Sequence, residues 1–65
     1  MKRYVLEAYI SEILIFYMEF KSITSVAKAI DKFCNCDSLD ILFDVYDILK
    51  DKTIDVDELM RIWHS

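Results

Sequence analysis

The sequence predicts an all-α protein, a compact bundle of about four short helices in one small domain spanning residues 1–65. Three observations predict it. Apolar side chains recur at steps of three and four, as one face of a helix requires. The chain holds no glycine and no proline, on which tight hairpins and many β-turns depend for their special backbone angles. Ser, Thr and Asp stand where helices would begin, ready to satisfy free N–H groups.

The first helix is expected over about 2–20. At about 100° per residue, Leu6, Tyr9, Ile10, Ile13, Leu14, Phe16, Tyr17 and Phe20 form one broad apolar face, with Glu7, Ser11, Glu12 and Glu19 opposite. Tyr4, Ile15 and Met18 interrupt the polar side, either tucked under a neighbouring segment or facing an interface. The β-branched and aromatic content of the run also admits a strand, because short apolar runs are ambiguous. With three glutamates it falls short of the ~20 apolar residues that a membrane span needs. Lys2 and Arg3 precede it, but no small-residue cleavage site follows, so a signal peptide is not expected.

A second helix, 23–34, follows Ser22 or Thr24 as cap, with Ile23, Val26, Ala27, Ile30, Phe33 and Cys34 at helical spacing. Asn35 to Asp37 form a corner. The third helix is expected over 38–50, carrying Leu39, Leu42, Phe43, Tyr46 and Leu49 on one stripe and Ile41, Val45 and Ile48 on another. A helix apolar on two sides is central to a bundle or part of an interface. The last helix, 55–63, opens on Asp55 with Glu58 three residues on, a pair like a capping box. Val56, Leu59, Met60 and Trp63 give it a buried side.

Composition narrows the function. A chain of 65 residues buries only about 60% of its unfolded surface, and domains so small usually need a staple. The hydrophobic fraction is 55%, with nine aromatic residues, more than one small core hides. A permanent protein partner or a homodimer is therefore expected. Cys34 and Cys36 read as two thiols in a reducing compartment, which places the chain in the cytoplasm. Joined by Asp37 and His64 they would make four metal ligands, but that set has no recognised spacing. His64 sits next to the terminus and Cys34 lacks an activating neighbour, so no enzyme activity and no cofactor are expected.

The net charge of −4 arises in residues 37–65. On the expected third helix Asp37, Asp40, Asp44, Asp47 and Asp51 step by three and four along one face, about 5–6 Å apart. Such a row is either an ordinary solvated face or a contact surface for a basic partner. The leading expectation is a small acidic protein-binding module acting stoichiometrically, an inhibitor or nucleic-acid mimic of viral type. Asp37, Asp40, Asp44, Asp47 and Asp51 would supply the charge, and Phe43, Tyr46 and Trp63 the apolar anchors. Direct nucleic-acid binding is not expected, because no basic patch exists to neutralise phosphates. An obligate homodimer, built on the first helix, is the alternative.

The stretch from Phe43 to Trp63, FDVYDILKDKTIDVDELMRIW, resembles an EF-hand. The twelve-residue loop would run from Asp47 to Glu58, with Asp51 fifth, Thr53 seventh, Ile54 eighth and Asp55 ninth. Leu49 departs from the oxygen ligand of the third position, and Lys52 from the glycine of the sixth. The resemblance implies a helix–loop–helix kept for packing, or a calcium-responsive module using Asp47, Asp51, Asp55 and Glu58.

Overall fold

The fold was obtained as a computed structural model, which describes residues 2–34 and 40–65. It corrects the all-α expectation. The elements run β1 (Tyr4–Ile10), β2 (Ile13–Phe20), α1 (Ile23–Cys34), β3 (Leu42–Asp47), β4 (Lys52–Ile54) and α2 (Val56–Trp63). The four strands form one sheet in the order β2-β1-β3-β4, antiparallel at every seam.

The expected first helix is a β-hairpin. Its apolar residues satisfy period two as well as period 3.6: Tyr4, Leu6 and Ala8 are buried, while Val5, Glu7 and Tyr9 are only partly covered. Val, Ile, Tyr and Phe favour the half-buried pleated surface of a strand. The turn needs no glycine here. Ser11 and Glu12 themselves take positive φ, 49° and 69°, as the two central residues of a type I′ hairpin turn must. The lack of Gly and Pro was therefore a misleading sign. β-branched and aromatic content settled the segment instead.

The expected third helix is also absent. Residues 38 and 39 lie outside the described residues; beyond them, Leu42–Asp47 is a strand pairing with β1, Leu6 opposite Val45 and Ala8 opposite Phe43. Phe43-Asp44-Val45 alternates apolar and polar, which a strand reads as two faces. The second and fourth expected helices fare differently. Helix 23–34 is present as α1, capped by Ser22, whose Oγ accepts from the Ser25 N–H at 3.2 Å. Helix 55–63 is present as α2, with Asp55 as its cap accepting from the N–H groups of Asp57 and Glu58.

Both helices pack on one face of the sheet. Tyr4, Leu6 and Val45 meet Val26 and Ile30 of α1 in the core, and Val56, Leu59 and Met60 of α2 pack against its margin. Phe33 on α1 stands edge-on between Phe16 and Phe43, at centroid distances of 5.0 and 5.7 Å. Removing this apolar surface from water is the main stabilising term, worth roughly 1.5–3 kcal/mol for each fully buried large aliphatic side chain. α2 contributes no fully buried residue. At 33 × 29 × 17 Å the molecule is a two-layer slab, and among the described residues nothing covers the other face of the sheet.

Candidate protein-docking face

Strand alternation decides what the uncovered face displays. Residues directly paired across an antiparallel seam share a face, and Leu6, Val45 and Met18 belong to the helix side. The uncovered side therefore carries three rows. Glu19, Val5, Tyr46 and Thr53 form the first, Tyr17, Glu7 and Asp44 the second, and Leu14, Tyr9 and Leu42 the third. Three carboxylates and three phenols lie on it, and no strand position on this side holds Lys or Arg.

Glu7 and Asp44 are direct cross-strand partners. Like charges so placed are destabilising, by a few tenths of a kcal/mol up to about 1 kcal/mol. Two of the phenols, Tyr9 and Tyr17, are tied to the acids. Tyr17 donates its hydroxyl proton to Glu19 Oε2 at 3.0 Å, and this hydrogen bond, then desolvation, holds its pKa above the ordinary value. For Tyr9, burial is the leading cause of the same upward shift, and the negative charge of Glu7 comes second. Both phenols thus stay neutral donors beside the carboxylates.

The residues singled out in the sequence do not form one stripe, because a helix no longer carries them. Asp37 lies outside the described residues. Asp40 is exposed ahead of β3, Asp44 is on the uncovered face, and Asp51 is exposed in the turn before β4 at φ 52°. Asp47 is buried, 3% exposed, on the helix side. Three residues apart along a strand, Asp44 and Asp47 point to opposite faces. Of the expected anchors, Tyr46 shares the face of Asp44, Phe43 points to the helix side, and Trp63 is half-buried at the end of α2. Glu7, Glu19, Tyr9 and Tyr17 were missed as site residues, because only a strand reading of the first segment places them together on one face.

Asp47 has a structural task. Its two oxygens accept from Arg3 Nε at 3.2 Å and Arg3 Nη2 at 3.0 Å. Oδ1 also accepts from the N–H groups of Leu49 and Lys50. Arg3 lies over the Tyr4 ring, 5.0 Å from its centroid, a cation–π contact. Hydrogen bonding to Arg3 holds the Asp47 carboxyl below its ordinary pKa, against burial, which pushes it up.

The four calcium candidates of the EF-hand-like segment are each placed separately. Asp47 is held by Arg3, Asp51 sits in the turn, Asp55 caps α2, and Glu58 lies 3.8 Å from Arg61. Among the described residues no group of three or more His, Cys, Asp or Glu side chains is positioned to hold a metal ion. A cation at Asp47 would have to displace a guanidinium. Cys36 and Asp37 of the considered four-ligand set lie outside the described residues. His64 instead approaches Asp31, with Nε2 3.2 Å from Oδ1, joining the end of α2 to α1.

With this geometry in view, the chain was compared with known proteins. No family model, curated protein or solved structure matched it. Among the described residues no helix is long and apolar enough to cross a membrane.

Proposed function

We propose that this chain is a stoichiometric protein-binding module, acting by docking rather than catalysis, whose uncovered sheet face receives a basic partner surface. One observation carries the reading. Glu7 and Asp44 stand opposite each other on a face with a third carboxylate and no strand-borne cation. A directly opposed acidic pair opposes folding, and the domain keeps it where solvent and partners reach it. Tyr9, Tyr17 and Tyr46 beside the acids supply flat, amphipathic contact area of the kind enriched at binding surfaces. Charge would govern the on-rate and its salt dependence, and the tyrosines the residence time.

The finer idea of a nucleic-acid mimic rested on a helical row of aspartates. Without that row, the carboxylate arrangement supports only the coarser partner class, a basic surface. A cytoplasmic setting, from the two thiols in a short chain, belongs to the same proposal.

The test titrates the protein with an oligo-arginine peptide at low salt. Glu7→Gln with Asp44→Asn removes two charges from the sheet face, and Asp57→Asn with Glu58→Gln removes two from α2. The sheet variant should weaken binding at least several-fold more than the α2 variant. Equal losses would mean that net charge alone is read, and that the sheet face is not the docking surface.

A further inference from the structure

The two edges of the sheet differ in a way that bears on a second surface. β4 is three residues long and includes Lys52 and Thr53, the short polar edge by which sheets discourage further pairing. β2 is eight residues long with one charge, Glu19, and among the described residues no strand lies on its outer side. Ile13, Leu14, Ile15, Tyr17 and Met18 are each between 44% and 66% exposed. A long, largely apolar edge with a single charge offers unpaired N–H and C=O groups that only water or another strand can satisfy. Beside it, on the helix side, lies a groove of about 520 Å³ between β2 and α1. Phe16, Met18 and Phe20 line it from the strand, Ala29 and Phe33 from the helix.

We infer that a second copy of this chain occupies the edge, its β2 paired antiparallel to the first across a two-fold axis at Met18. Register supports this. An irregularity opposite Ala8 and Tyr9 leaves Ile15 without a partner, so the regular part of β2 runs from Phe16 to Phe20. Its midpoint is Met18, and a two-fold axis that pairs the whole regular stretch passes there. Phe16 of one copy then faces Phe20 of the other on the groove side, where each brings apolar surface to the other's groove. Tyr17 of one copy faces Glu19 of the other on the uncovered side. Those two groups already make a matched hydrogen bond within one strand, at 3.0 Å. Charge decides the direction, since parallel in-register pairing would stack Glu19 on Glu19 whereas the antiparallel arrangement separates them. Two four-stranded sheets become one of eight, with the acidic face doubled and uncovered. This pairing uses the edge, not Glu7 or Asp44, and stands or falls apart from the docking proposal.

The competing occupant is a foreign extended segment with acidic side chains, drawn by Lys28 and Lys32 at the groove rim. Salt separates the two. Each copy carries a net charge of −4, and the lysines of both copies flank the seam, so screening strengthens self-association. Binding of an acidic segment weakens under the same change.

The experiment measures the mass of the full chain by sedimentation at low and high salt. A species of about twice 7.8 kDa, favoured at high salt and reduced to a folded monomer by Met18→Lys, is the expected result. A wild-type monomer in both conditions overturns the inference, as does a dimer that folded Met18→Lys leaves intact or one that salt dissociates. Should Met18→Lys fail to fold, Met18→Cys with Cys34→Ser and Cys36→Ser decides. Mild oxidation should link its two copies through Cys at the axis, and failure to cross-link overturns the register. Glu7→Gln with Asp44→Asn should remain dimeric.

Discussion

At the scale of single residues, the turn and the Arg3–Asp47 pair are the places where local chemistry does most to hold the sheet. Ser11 and Glu12 hold positive φ in a region where a side chain with a Cβ costs about 1–2 kcal/mol. Replacing them with the pair that type I′ turns favour, Ser11→Asn with Glu12→Gly, should stabilise the domain by about 1 kcal/mol. In a domain this small, that corresponds to a rise in Tm of about 4–8 °C, measurable by calorimetry. An unchanged or lowered Tm would argue against the positive-φ turn. Asp47 gives a pH dependence. Its carboxyl titrates below the ordinary range because Arg3 hydrogen-bonds the ionised form. Such a group adds stability above its unfolded-state pKa, and that stability is lost as pH falls through the folded value. Asp47→Asn should therefore lower stability near neutral pH and flatten the acid limb of the stability curve. Urea unfolding across that range reads both effects, and an unaltered acid limb would show that Asp47 is not the group responsible.

At the scale of elements, the sequence told helix from strand only where local signals agreed. α1 and α2 were legible because caps and 3.6-residue periodicity point the same way: Ser22 ahead of Val26 and Ile30, Asp55 ahead of Leu59. Asp55→Ala should cost about 1 kcal/mol, as loss of an N-cap does, seen as a lower urea midpoint with an unchanged slope. β1 and β2 were illegible as a pair for a physical reason. All but four positions from Tyr4 to Phe20 are apolar or aromatic, so helical and strand periods both find a face. Only the β-branched and aromatic content leaned towards strand. β3 misled through its charges, since Asp40, Asp44, Asp47 and Asp51 fit steps of three and four while Phe43, Asp44 and Val45 already alternated. In a strand such steps scatter residues over both faces, which is why Asp44 meets solvent and Asp47 meets Arg3.

At the scale of the whole molecule, the apolar surplus read from composition has a definite address. The layer of helices covers one face of the sheet, and the surplus appears along β2 and on the uncovered side, with Leu14, Leu42 and Tyr17 outside the core. The acidic excess was legible as a sum but not as a surface, because two of the three carboxylates on that face, Glu7 and Glu19, lie in the near-neutral first half of the chain. On the reading proposed above, a partner completes this two-layer slab at its acidic, tyrosine-bearing face. The most direct test of that claim follows backbone amide shifts by NMR as oligo-arginine is added. Shifts concentrated in Val5–Tyr9, Tyr17–Glu19 and Leu42–Tyr46 are the predicted result. Shifts concentrated on Asp55–Glu58 and the rest of α2, with the sheet silent, would contradict it.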